Sequence, residues 1–399
     1  MNNLELLAPA GDIEKLRIAC LYGADAIYFG GQSFGLRANA SNFSLEEIKE
    51  ATLFAHSLNK KVYVTVNIIF HNKDIDGLVE YLKELERIKI DAIIVSDVVV
   101  IDVVKKNKIN LEIHLSTQAS TLNKEAAKHY IASGVSRIVL AREASKDDIV
   151  AIKKATGVEL ECFIHGAMCV SFSGKCVLSN YATNRDSNRG GCAQICRWTF
   201  DTCESDNEFN MTPKDLNMVP YIEEMIEAGV NSFKVEGRMR SIYYIATIMH
   251  TYRRIIDSII NNTSNNEHIE YYLNILNRCA NRESTPQFFD KFPGVDEQYF
   301  RGRKEISNQD FLGIVISNDT YNKKVVLEQR NFFKVGDVVE FFGPNTNTTI
   351  FVIESIYDED NKLIDIARHP QMIVTIPCDI DLKQGDMMRL KMFDKPDDL

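Results

Sequence analysis

Lys61-Val-Tyr-Val-Thr-Val-Asn67 and Asp91-Ala-Ile-Ile-Val-Ser96, with a helical stretch between them, decide the fold of this chain. Short apolar runs alternating with amphipathic helices are the texture of successive βα units around a buried parallel sheet. The same unit recurs from residue 1 to about 262. Strands are also expected at Leu4 to Leu7, Asp25 to Phe29, Leu111 to His114, Arg137 to Leu140, Val158 to Ile164 and Ser232 to Val235. A helical pattern follows each. Ser44-Leu-Glu-Glu47 forms a capping box for the helix running to Ser57, and Ile242 to Ile260 follows the last strand. Eight such units predict an α/β fold of the (β/α)8 TIM-barrel type. An open doubly wound sheet is the alternative, but no Gly-x-Gly-x-x-Gly follows the first strand.

Two features lie outside the repeat. The segment 166–230 is far longer than an ordinary βα connection, and loops of that size in compact domains are usually functional. From Phe311 onward, short alternating runs punctuated by Asn and Gly predict a small antiparallel β-barrel, so that the chain divides into a barrel at 1–262, a helical connector at 263–305 and a β-domain at 306–399.

The formal charge of -10 opposes indiscriminate nucleic-acid binding, so an RNA partner would need a local basic patch. Arg238-Met-Arg240, Arg253-Arg254 and Arg301-Gly-Arg303-Lys304 are candidates. No apolar run approaches the ~20 residues that cross a bilayer, and the N-terminus lacks a secretion signal's basic start and apolar core. A cytoplasmic location, with no membrane partner, is expected.

That location bears on the cysteines, because a reducing compartment disfavours disulfides. Six of the nine fall between Cys162 and Cys203, and Cys169, Cys176, Cys192 and Cys196 share a stretch with Gly166, Gly174, Gly190 and Gly191. Crowded thiolates repel one another unless a cation sits between them, which points to a soft-metal site. The gaps of six, fifteen and three residues do not match the paired knuckles of a zinc ribbon and suit an iron-sulfur cluster better. Cys20, Cys279 and Cys378 sit in apolar patterns and read as core.

Active sites of such barrels gather at the C-terminal ends of the strands. There the chain places Asn67, His114, Gln118, Arg142, Glu143, His165, Glu236 and Arg238. His114, Glu143, His165 and Glu236 are candidate acids or bases; Arg142 and Arg238 are suited to fork onto a carboxylate or phosphate, with Asn67 and Gln118 beside them. Gly31-Gln-Ser33-Phe-Gly35 matches a nucleophile elbow in its letters, but Leu36 to Ser41 does not read as the helix that motif opens.

Glu161-Cys-Phe-Ile-His-Gly-Ala-Met-Cys169 followed by Phe172-Ser-Gly-Lys-Cys176 resembles the signature of the collagenase-like (U32) peptidase family. Leu7-Ala-Pro-Ala-Gly11, Ala26-Ile-Tyr-Phe-Gly30, His114-Leu-Ser-Thr-Gln118, Leu140-Ala-Arg-Glu143 and Phe233-Lys-Val-Glu-Gly-Arg238 extend the likeness over essentially the whole chain. The resemblance is strongest to the branch acting in prephenate-dependent hydroxylation of carbon 5 of the tRNA wobble uridine. It implies a four-iron four-sulfur (4Fe-4S) cluster, tRNA as partner, a small carboxylated donor such as prephenate, and in some members a paralogous second subunit. Cys169, Cys176 and Cys192 match three family ligand positions. The fourth usually follows a Lys-Asp-x motif, and here Lys214-Asp215-Leu216 is followed by Asn217. Either Cys196 supplies the fourth thiolate, or one iron is open, or the cluster is absent. A tRNA hydroxylase component, a peptidase and a non-catalytic partner subunit are the three functions this leaves.

Overall fold

The computed structural model describes residues 4–35, 42–202, 205–280, 282–299 and 309–396. Eight parallel strands form its centre: β1 (Glu5–Pro9), β2 (Ala26–Gly30), β3 (Lys61–Val66), β4 (Ala92–Val95), β5 (Glu112–Leu115), β6 (Arg137–Val139), β7 (Glu159–Gly166) and β8 (Ser232–Val235). Each neighbours the next in sequence. The ring closes because β8 pairs with both β1 (Glu5 opposite Ser232) and β7 (Ser232 opposite Glu161). The expected TIM-type barrel is therefore the observed one.

Helices α1 (Ile13–Leu21), α2 (Leu45–Ser57), α3 (Leu78–Ile88), α4 (Val98–Lys106), α5 (Lys124–Ala132) and α6 (Lys146–Thr156) follow the first six strands. Within the insertion lie α7 (Leu178–Thr183) and α8 (Ile222–Glu227); α9 (Ile242–Ile260) follows β8, and α10 (Asn266–Ala280) packs beside it. Asp12, Ser44, Asp97, Asn123, Ser145 and Ser241 cap their helices with side-chain oxygens, which satisfies amide donors that a helix start otherwise leaves unpaired. Strand residues of one parity, such as Val62, Val64 and Val66, face the helices in the main core.

Residues of the other parity fill the lumen. Leu7, Ala26, Tyr28, Tyr63, Ala92 and Ile94 form one apolar group there. Beside it runs a buried ion network that the sequence reading did not anticipate. Arg137 pairs with Glu5, with Glu159 at 2.9 Å and with Glu161 at 3.3 Å, and Lys234 meets Glu161 at 2.6 Å. Tyr63 and Ser232 donate hydroxyl protons to Glu5 at 2.6 and 2.7 Å. Burial pushes the Glu161 carboxyl up, but Lys234 and Arg137 outweigh it and hold the group below its ordinary value.

Beyond the barrel, an antiparallel sheet of eight strands spans Phe311–Asp319 to Met387–Leu390. Its strand order is open, from Thr349–Val352 at one edge to Leu363–Ile364 at the other, so the small antiparallel β-barrel expected here is a half-barrel. Ile373–Pro377, unrecognised in the sequence, is an internal strand of this sheet, between Lys324–Gln329 and Ile356–Tyr357. The sheet is welded to the larger unit. Phe342 and Met387 belong to the main core, Tyr243 stacks on Phe311 at 4.8 Å, and Arg278 grips Asp310 through two bonds of 2.8 and 3.0 Å.

The lumen network generates a stability prediction. Removing one partner of a buried pair leaves a charge without its compensation, at a cost of about 3 kcal/mol or more. Lys234→Met should lower the stability measured by urea unfolding by that order, and Glu161→Leu in the same chain should recover part of the loss. A change below about 1 kcal/mol for Lys234→Met would show that the network is not what holds the lumen.

Candidate active site at the barrel mouth

The insertion that leaves β7 is pinned over the C-terminal ends of the strands by three barrel loops. After β3, Asp74 forks with Arg189, whose guanidinium also donates to the Ile69 carbonyl at 2.7 Å. After β5, Gln118 lies against Gly174, and the turn Thr117–Ala119 packs on the turn Phe172–Gly174. After β6, Glu143 accepts from the Ser173 amide at 2.6 Å and the Ser173 hydroxyl at 2.7 Å. Arg142 donates to the Ala167 carbonyl and stacks over the Phe163 ring at 3.9 Å. Arg142 and Glu143, expected as a carboxylate clamp and an acid or base, are thus both bonded to the cysteine segment.

The four cysteines of that segment are the least enclosed of the described set: Cys169 and Cys192 are exposed, Cys176 and Cys196 partly so, whereas Cys20, Cys162, Cys279 and Cys378 are buried. They lie near enough to sense one another. Burial raises the Cys196 thiol above its ordinary value, Arg197 opposes this, and the charges of Cys169, Cys192 and Cys176 add to the rise. The Leu178 amide donates to the Cys176 sulfur at 3.4 Å, and the Cys176 carbonyl accepts from the Asn188 side chain at 2.9 Å. Among the described residues, no three thiol, imidazole or carboxylate groups converge tightly enough to hold a single ion.

Under the insertion, Arg238 extends across β2. A Cβ on Gly30 would stand 2.7 Å from its Nη2 and 3.2 Å from the Thr65 hydroxyl, so glycine is what lets the guanidinium lie there. Arg238 also donates to the Asn42 side chain at 3.1 Å. Thr65 Oγ1 beside it, and Asn67 Oδ1 and Gln118 Oε1 past the ends of β3 and β5, are buried without a hydrogen-bond partner in the protein. A buried polar atom left so costs about 1–3 kcal/mol unless a ligand or water meets it. Of the four expected substrate-binding residues, Asn67 and Gln118 carry such an oxygen, Arg238 lies over Gly30 near Thr65, and Arg142 is held by Ala167 and Phe163. Lys234 and Phe163, which the sequence reading did not assign to the site, lie close together, the Lys234 Nζ 5.4 Å from the centre of the Phe163 ring.

The expected catalytic residues are scattered. His114 is in the lumen, 1% exposed, edge-on to Tyr63 and bonded to Glu112 at 3.2 Å. His165 turns the other way, because the β7–β8 register slips between Lys234 and Val235, and its ring packs against Tyr244 and Tyr252 of α9. Glu236 is buried beside Gly166, within electrostatic reach of His165 and Asp215. Asn217, on a short strand paired to the end of β7, is buried too; its oxygen accepts from the Val219 amide at 3.1 Å and from Tyr252 at 3.3 Å. Ser33 is exposed, and the segment 36–41 that should follow a nucleophile elbow lies outside the described residues.

Arg240 and Arg253, one from each arginine pair expected to form an RNA patch, are ion-paired. Arg240 pairs with Asp215, Arg253 with Asp25 and Asp257, and Arg254 bonds Asn347. Arg301, Arg303 and Lys304 lie outside the described residues.

Residues 11–299 match the profile of Peptidase family U32, and residues 307–389 match the Peptidase family U32 C-terminal domain. Over 397 residues the chain is 46% identical to "tRNA hydroxylation protein P1" of Bacillus subtilis, covering 96% of this chain and 94% of that protein. It is 31% identical over 417 residues to the "Collagenase" of Porphyromonas gingivalis, covering 99% of each. A segment of 266 residues, 65% of this chain and 40% of the other, is 40% identical to "23S rRNA 5-hydroxycytidine C2501 synthase" of Escherichia coli.

Two outcomes follow from these contacts. Glu143→Ala should free the turn at Ser173, so amide hydrogen exchange within 169–176 should accelerate about tenfold or more while β1–β8 keep their protection. Equal protection in the variant would show that Glu143 does not hold the loop. Burial, with Arg240 adding, lowers His165 to about 3 although Glu236 opposes it. The unfolded chain then binds a proton, at about pH 6.5, that the native protein refuses, and stability falls as pH drops from that value toward 3. His165→Gln should flatten the decline of the urea midpoint over this window; an unchanged slope would place the cause elsewhere.

Proposed function

This chain belongs to peptidase family U32, and we propose that it acts in RNA hydroxylation, installing a hydroxyl on carbon 5 of the tRNA wobble uridine with a prephenate-like donor. The observation that carries this reading is the gathering of four thiols on one segment that three barrel loops pin over a polar mouth. The names of the Bacillus and Escherichia relatives support it.

Cys169, Cys176, Cys192 and Cys196 would hold a 4Fe-4S cluster. Their donor set fits: thiols that feel one another's charge without closing on a single ion suit a multi-iron cluster better than zinc. The Leu178 amide directed at Cys176 is the kind of outer contact that tunes such sulfurs. Asn217 faces Tyr252 and Val219, so Cys196 is the better fourth ligand. When bound, the cluster supplies one-electron chemistry.

The protein's own part is to hold and orient. Arg238 forks onto a donor carboxylate, while Asn67, Gln118 and Thr65 supply polar contacts to the rest of it. Arg142 and Glu143 keep the cysteine loop over that donor. His165, neutral and buried, positions the end of β7. The collagenase relative favours peptide hydrolysis as a second reading, yet neither His114 nor His165 stands at the mouth to activate a nucleophile.

Nucleoside analysis of tRNA tests the reading. Cells lacking this chain should lack carbon-5-hydroxylated wobble uridine, wild type should restore it, and Cys169→Ser should not. In calorimetric titration, prephenate should bind wild type, and Arg238→Lys should weaken it about tenfold or more, because an ammonium keeps the charge but loses the fork. Unchanged tRNA in the deletion, with peptide cleaved by the purified protein, would replace this reading with the peptidase one.

A further inference from the structure

The cysteine segment is chemically unlike the rest of the surface. Between Cys169 and Phe200 it carries Lys175, Arg185, Arg189 and Arg197 against one acid, Asp186, in a chain whose formal charge is -10. Arg189 is engaged by Asp74, but Lys175 and Arg185 are exposed and make no ion pair among the described residues. The same segment exposes three rings. Tyr181 is 87% exposed, Phe172 52% and Trp198, the only tryptophan, 47%. None of the three stacks on another ring among the described residues.

These rings are held in place by local bonds. Phe172 opens the turn that Glu143 fixes at Ser173. Tyr181 lies on α7, which packs on the turn Ile195–Arg197 just before Trp198, and the Ser179 hydroxyl accepts from the Ala193 amide at 3.0 Å. Aromatic faces presented on a braced, basic loop beside the four cysteines have little use in a protein that works alone. Large rings left in water are unfavourable, and clusters of them mark interaction sites.

We infer that this face is the docking surface for an unpaired RNA loop, with bases stacking on Phe172, Tyr181 and Trp198 while Lys175, Arg185 and Arg197 meet the phosphates. The inference rests on the RNA reading above and locates the substrate on the cysteine segment, where the sequence pointed instead to the arginine pairs and the patch Arg301 to Lys304. Aromatic side chains are the usual platforms for splayed-out bases, and basic residues between them track the backbone. A rigid duplex keeps its bases stacked inside and offers the rings nothing. The surface therefore selects single-stranded loops, and it delivers a flipped base toward Arg238 and the mouth below.

The test compares two RNAs with the full-length protein: an anticodon stem-loop, and the same loop sequence closed into a duplex. Wild type should prefer the stem-loop. Tyr181→Ala and Trp198→Ala should each weaken stem-loop binding about tenfold or more and barely change duplex binding, whereas Tyr181→Phe and Trp198→Phe should retain it. Lys175→Gln and Arg185→Gln should each reduce the slope of log affinity against log salt by about 0.7. Stem-loop binding unaffected by both alanine variants overturns the proposal, as does equal loss for stem-loop and duplex, since rings that stack would not act so. Wild-type self-association abolished by Trp198→Ala at unchanged RNA affinity would assign the face to a second copy and likewise overturn it. These failures are separable from failure of the function itself: normal wobble hydroxylation in cells carrying both alanine variants would reject the surface and keep the activity, whereas absent hydroxylation in wild-type cells rejects the activity.

Discussion

Closing eight parallel strands into a ring creates a lumen that must be filled, and in this protein part of the filling is charged. Glu5 of β1 meets Arg137 of β6, Arg137 meets Glu161 of β7, and Glu161 meets Lys234 of β8, so the ion network crosses the seam where the last strand returns to the first. Its value lies in register. Sliding β8 by one residue would exchange lumen and core residues and leave Glu161 with half its compensation. The packing of the helices, which read the opposite parity of the same strands, inherits that register.

The network also reaches upward. Lys234 lies 4.2 Å from the centre of the Tyr28 ring and 5.4 Å from that of Phe163, and Phe163 carries Arg142 on its other contacts. From Arg142 and Glu143 the chain of bonds continues into Ala167 and Ser173 of the cysteine segment. The lumen, the mouth and the insertion are therefore one connected structure. Most of its arginines act as braces, since Arg137, Arg142, Arg189 and Arg240 are bound to carboxylates or carbonyls of the protein itself.

This division of labour explains what the sequence revealed. The eight barrel strands were legible because parallel strands are covered on both faces and read as apolar runs with turns between them. The lumen network was not, because Glu5 and Arg137 stand 132 residues apart and only closure brings them together. At the mouth, the strand-end rule pointed to Asn67, Gln118 and Arg238. It could not say which way each side chain points. His165 sits one residue past Ile164, where the β7–β8 register slips, and the slip turns a strand-end histidine toward α9. Residue type similarly could not distinguish a bracing arginine from a binding one; Gly30, which makes room for the Arg238 guanidinium, marks the difference only in three dimensions. In the C-terminal sheet, the strand Ile373–Pro377 escaped notice because its five residues are closed by a proline, a terminator in most strands.

The same logic of placement bears on charge. An acidic chain approaching RNA faces repulsion unless its acids are kept from the contact face, and here that separation arises within a single segment. Between Cys169 and Phe200 the insertion carries one acid among its bases, while Asp74 and Glu143 of the barrel loops are consumed in holding Arg189 and Ser173. The anchors thus do two things at once. They fix the cysteines over the mouth, and they remove negative charge from the face on which a polyanion would have to settle.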